Sequence, residues 1–187
     1  MKTSQLVVSF FAILMSHLIY AQPNEGQFIN ASIGIGYCSP DDESELSGSG
    51  FYAQAEYVWS PNRWFGVRPY AGVVFASGTS DEPGMTEYHI KSNAFMLGAK
   101  VRLAAPIPYV APFFETGVGM SVGSFRTYTE FTNEKKSGAL LHIPFTVGLA
   151  IGRRHNYELK FIYYYHEAAE QVSGAAALGL TFPLGND

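Results

Sequence analysis

Cysteine is almost absent from this chain. Cys38 is the only one in 187 residues, so no internal disulfide can form. A lone thiol at the end of a predicted strand is expected to be half-buried and inert. Charge is sparse as well, and without basic excess: 12 Lys and Arg stand against 16 Asp and Glu, a formal net charge of −4 that gives no reason to expect nucleic acid. Beyond the N-terminus there is no run long and apolar enough for a membrane helix, which needs about 20 residues. No H-x-x-x-H, G-x-S-x-G or phosphate-loop pattern occurs, and neither a metal nor a cofactor is expected.

What is present begins with a leader. Lys2 supplies positive charge, Leu6 to Met15 (LVVSFFAILM) an apolar core, and Ser16 to Ala21 an exit with Ala21 as the residue to cleave after. The apolar core is too short to anchor the chain by spanning a bilayer. Residues 1–21 are therefore expected to be a signal peptide. Residues 22–187 are long enough for one domain.

That domain alternates with period two, the signature of half-buried strands. In FINASIGIGY (Phe28 to Tyr37), Ile29, Ala31, Ile33, Ile35 and Tyr37 share one face; Asn30, Ser32, Gly34 and Gly36 share the other. The same pattern recurs over about 51–59, 65–75, 94–103, 110–120, 140–152, 157–165 and 175–184, which predicts eight strands. Links after the second, fourth and sixth strands are short. Longer polar segments, 39–50, 76–93 and 124–137, follow the first, third and fifth, and Glu167 to Gly174 is intermediate. Short turns on one rim and long loops on the other is the arrangement of an outer-membrane barrel. The segment SFRTYTEFTNEKKS within the third long link has the character of a hairpin extending the wall.

The less apolar face decides which side is inside. It is rich in glycine (Gly34, Gly36, Gly66, Gly72, Gly98, Gly117, Gly119, Gly148, Gly179), as suits a narrow eight-stranded barrel. It also carries Glu56, Arg68, Lys100, Arg102, Glu115, Glu158 and Lys160, whose charges nearly cancel and are expected to pair across the lumen. The opposite face is apolar. Trp59, Phe65, Tyr157 and Phe182 fall near the short-turn rim, and Tyr37, Phe51, Phe75, Tyr163 and Tyr165 near the long-loop rim, as two aromatic girdles would. The fold class expected is all-β: a closed, antiparallel, up-and-down, eight-stranded transmembrane β-barrel. Pro69, Pro112 and Pro144 fall within predicted strands and are expected to mark bulges or strand starts.

Three places invite a function. The lumen charges are expected to be a structural plug. His166, with Glu167 and Glu170 in YYYHEAAEQ, offers an imidazole beside carboxylates for acid–base work. The long-loop rim, segments 39–50, 76–93 and 124–137, is where an extracellular ligand would bind. His142 is a lumen residue by alternation without a partner at metal spacing; His89 and His155 belong to loops or turns.

The stretch PYVAPFFETGVG (Pro108 to Gly119) and the terminal strand ALGLTFPL with Phe182, together with the architecture, make the chain resemble the small outer-membrane barrels, the broad group that includes the OmpA- and OmpX-related domains. The resemblance implies a Gram-negative outer-membrane location, contact with outer-membrane lipid, and Phe182 as part of a signal for the barrel-insertion machinery. A second, positional resemblance links YYYHEAAEQVSG to the lipid A deacylases, in which a serine follows the histidine by two residues. Here Ala168 stands in that place and Ser173 is expected in a loop. The function expected is non-enzymatic, a structural or surface-interaction barrel. The alternatives are a deacylase-like enzyme of the outer leaflet and a soluble lipocalin-like ligand carrier.

Overall fold

The computed structural model describes residues 25–40, 46–80, 88–130, 133–166 and 171–184. The expected leader at 1–21 and the candidates Glu167 and Glu170 lie outside them. Eight strands follow one another: β1 (Gly26–Pro40), β2 (Gly48–Asn62), β3 (Phe65–Thr79), β4 (His89–Ala104), β5 (Val110–Tyr128), β6 (Asn133–Ile151), β7 (Tyr157–His166) and β8 (Gln171–Pro183). Each pairs antiparallel with the next, and β1 pairs with β8, closing the sheet into a barrel. No sheet edge is left open, which a lone apolar sheet could not tolerate.

Burial is inverted relative to a water-soluble barrel. Outward side chains such as Leu141, Val118 and Leu178 are 80%, 71% and 66% exposed, whereas inward Glu115, Lys160 and Glu56 are 0%, 0% and 1% exposed. A lipocalin-like barrel would show the opposite pattern. The outward belt is the kind of surface a bilayer solvates. Trp59, Tyr157 and Phe182 are exposed at one margin of the belt, and Tyr37, Phe51, Phe75 and Tyr163 at the other.

Two sequence expectations need correction. The segments read as long loops are mostly ladder: β1 and β2 pair as far as Cys38–Gly48, β3 and β4 as far as Thr79–His89, and β5 and β6 as far as Tyr128–Asn133. Polar residues there keep backbone hydrogen bonding while their side chains leave the apolar belt, so loss of hydrophobic alternation did not mean loss of strand. Between the strands only residues 41–47, 80–88, 129–132 and 167–170 remain on this side. The hairpin reading of 124–137 agrees with this pairing. Ser173, expected in a loop, is likewise an inward residue of β8, paired with Cys38 and Tyr164.

The prolines resolve differently from one another. Pro112 is the third residue of β5, a strand start. Pro69 and Pro144 sit mid-strand, but not at bulges. The β2–β3 ladder passes from Glu56–Tyr70 to Trp59–Val67, and the β5–β6 ladder from Thr116–Phe145 to Gly119–His142, each skipping the proline while keeping register. A missing N–H interrupts pairing locally without requiring an extra residue. The register shift in β2–β3 lies elsewhere, at the turn between Trp59 and Asn62.

Candidate functional site

Alternation delivers one charged side chain after another into the lumen. Glu56 comes from β2, Arg68 from β3, Lys100 and Arg102 from β4, Glu115 from β5, and Glu158 and Lys160 from β7. Arg68 is their hub: its guanidinium lies 2.9 Å from Glu56, 3.0 Å from Glu115 and 3.0 Å from Glu158. Lys100 reaches Glu56 at 3.1 Å and Glu115 at 2.7 Å. Arg102 reaches Glu115 at 2.6 Å and Glu158 at 2.7 Å. Lys160 reaches Glu56 at 2.8 Å and Glu158 at 3.5 Å. Every carboxylate thus meets three cations.

The cage carries one more cation than anion, and neutral groups absorb the excess. Lys160 donates to Asn30 Oδ1 at 2.9 Å. The Arg102 guanidinium stacks 3.5 Å from the centre of the Phe113 ring, a cation–π contact at the turn side of the cage. Gln54 donates to Glu56 at 2.7 Å and accepts from Tyr164 at 2.6 Å, tying the cage to the next layer.

That layer is aromatic and imidazole. Tyr70 hydrogen-bonds to His142 Nε2. Ser121 Oγ lies 2.8 Å from His142 Nδ1 and 2.8 Å from His166 Nε2. A hydroxyl has one proton, so Ser121 donates to one ring and accepts from the other. Above it, toward the longer connections, the lumen turns apolar: Cys38, Leu46, Val74, Ile90, Met96 and Phe125 pack together, all buried. Ser92 and Ser173 bond to each other there at 2.8 Å.

The sequence reading placed all seven charged residues on the inner face, and the structure brings them into one network. It missed the plug above them. The signal was there: in VVF (73–75), FML (95–97) and YYY (163–165) both alternate positions are large and apolar or aromatic, the mark of a strand covered on both faces. Ser121 was missed because it lies one residue past the expected end of the fifth strand.

His166 points inward and is 1% exposed. Ser121 supplies the serine–histidine contact that Ala168 cannot, yet it is fully buried. Among the described residues, no carboxylate is bonded to either ring; Tyr70 bonds to the far side of His142. A nucleophile needs its base within reach, the base oriented, and a space for the reacting carbon. Ser121 meets the first requirement but, at 0% exposure, offers a substrate no open approach.

No family model and no curated protein matches the chain. Solved structures do. Neisserial surface protein A aligns over 86% of this chain and 98% of its own, with a TM-score of 0.59 and 12% identity. The outer membrane protein OprG from Pseudomonas aeruginosa aligns over 87% and 98%, with a TM-score of 0.49 and 11% identity. Ail, the attachment invasion locus protein of Yersinia pestis, aligns over 85% and 100%, with a TM-score of 0.47 and 17% identity. The closed eight-strand topology and the likeness to Neisserial surface protein A establish the fold as that of the small outer-membrane barrels.

Proposed function

We propose that the protein is a non-enzymatic outer-membrane barrel, exported by its N-terminal leader and inserted by the barrel-insertion machinery, with a structural or surface-interaction role. The long-connection rim faces outside the cell. The observation that carries this reading is the filled lumen. Cage, imidazole layer and apolar plug occupy successive levels, which leaves the outer wall and its loop-side extensions as the surfaces available to a partner.

Labelling tests the orientation. Cys38 is fully buried and contributes little background. A membrane-impermeant maleimide is expected to label Ser137→Cys, exposed on the loop-side part of β6, in intact cells. It should reach Asn62→Cys, exposed at the turn rim, only after the envelope is opened. Labelling of Asn62→Cys alone in intact cells would reverse the assignment.

The deacylase-like alternative has its own measurement. Lipid A mass spectra from cells producing the native chain and His166→Ala are expected to be identical. An acyl chain lost with the native protein and retained with the variant would make the protein an enzyme.

A further inference from the structure

The outward face of β4, β5 and β6 changes character in steps. Direct cross-strand partners form rows, and one step below the end row Thr79, His89, Tyr128, Asn133 lies the row Ser77, Lys91, Arg126, Lys135. Three cations thus stand side by side on adjacent strands, all exposed. Like charges directly opposite each other in a ladder repel. Among the described residues no acid pairs with any of them: the ion pairs outside the lumen join Arg63 to Glu25 and Lys136 to Glu134. Glu134 and Lys136 alternate to the other face of β6.

The rows below run Phe75, Asn93, Ser124, Ser137, then Val73, Phe95, Val122, Ala139, then Ala71, Leu97, Met120, Leu141. Each step is two residues, roughly 7 Å along the strand. Below the end row the wall is basic, then polar with one aromatic, then apolar. In the apolar part it is hollow. A cavity of about 690 Å³ opens on the outer surface, lined among others by Val118, Ala139, Leu141, Ile143 and Tyr165. Two causes shape it. The small outward side chain of Ala139 leaves the wall low between the projecting Val118 and Leu141. The ladder also skips Gly117 to Val118 opposite Ile143 to Pro144, where the proline has no N–H to give.

We infer that this strip of the outer wall is a binding site for a phosphorylated membrane lipid of the outer leaflet, with its phosphate on Lys91, Arg126 and Lys135 and an acyl chain in the groove below. Charge complementarity selects the headgroup. An anion neutralises three mutually repelling cations at the level where the belt ends, and Arg126 offers a fork suited to phosphate oxygens. The groove lies on two of the same three strands, within the surface already assigned to lipid, so one molecule reaches both parts.

The inference rests on the membrane reading, which is checked first by heat-modifiable migration of each refolded variant. The full chain in detergent micelles is then titrated with phosphatidylglycerol or phosphatidylcholine of the same acyl length, and bound lipid is read by native mass spectrometry. Phosphatidylglycerol is expected to be retained about tenfold better, given three basic residues near an anionic headgroup. The triple variant K91Q/R126Q/K135Q should lose that preference while still folding. Ala139→Trp, which fills the groove, should lower retention of both lipids. Equal retention of the two lipids by the native chain, or an unchanged preference in the triple variant, overturns the site. Inorganic phosphate that displaces the lipid completely at equal concentration overturns the groove's part in it. A variant that fails the migration test counts against the membrane reading, and the single Arg126→Gln, expected to lose part of the preference, then replaces it.

Discussion

Glu115→Gln will destabilise the barrel by about 3–5 kcal/mol, the range for removing one partner of a buried ion pair. Arg68, Lys100 and Arg102 all point at this carboxylate, and the first two are within 2% of complete burial. The substitution moves the cage from one excess cation to two around a fully buried position. Arg68→Met changes the count the other way. It removes three ion pairs, as many as Glu115 makes, yet leaves three cations facing three carboxylates, each carboxylate still holding two partners. Contact number therefore predicts equal losses and charge balance unequal ones, and we expect charge balance to decide, with Glu115→Gln the more damaging. Urea unfolding in micelles, followed by the fluorescence of Trp59 and Trp64, measures both. A loss for Glu115→Gln no larger than that for Arg68→Met would show that the hub, not the balance, holds the cage.

The second large effect is steric. Gly119→Val is expected to cost about 3 kcal/mol or more, at the top of the range for overpacking, and to leave most of the chain in the unfolded gel form. Gly119 pairs with Gly98 across β4 and β5, and a side chain at 119 would occupy the space of Tyr70 Oη, His142 Nε2 and the Leu97 carbonyl. The Tyr70–His142 hydrogen bond lies over this bare patch of wall. Adding Tyr70→Ala to Gly119→Val should restore part of the folded fraction, because two of the three obstructions are side-chain atoms and this removes one of them. Gly138 provides the contrast. A Cβ there meets nothing within 4 Å, and only its φ of +118° opposes substitution. Gly138→Ala should therefore cost about 1 kcal/mol and leave folding intact. Similar losses at the two glycines would mean that backbone conformation, not crowding, sets both.

Strand number, order and facing were legible because a one-residue slip would turn every side chain to the wrong face. FINASIGIGY reads almost unambiguously, and β1 pairs through all of it. Strand length was not legible at the loop side. Lys91, Arg126 and Lys135 look like loop residues in a hydropathy pattern, but the ladder is a backbone structure and continues through them. The charge cage could be anticipated as a set, since seven ionisable groups on a closed inner face must find one another. Its wiring could not, because which oxygen meets which nitrogen depends on side-chain reach across strands that the sequence does not align. Ser121 shows the same limit: its histidine partners lie 21 and 45 positions away.

The cage also bears on how the barrel comes to exist. Its members, with Asn30, are drawn from β1, β2, β3, β4, β5 and β7, and the Lys160–Asn30 bond joins residues 130 positions apart. No hairpin holds all three cation partners of any one carboxylate. While the sheet is open these side chains stay hydrated, and water leaves them only when the last strands meet the first. Closure and completion of the network are then a single event. The network acts as a latch that engages once, on the completed cylinder, and makes any partly rolled sheet a poor tenant of the bilayer.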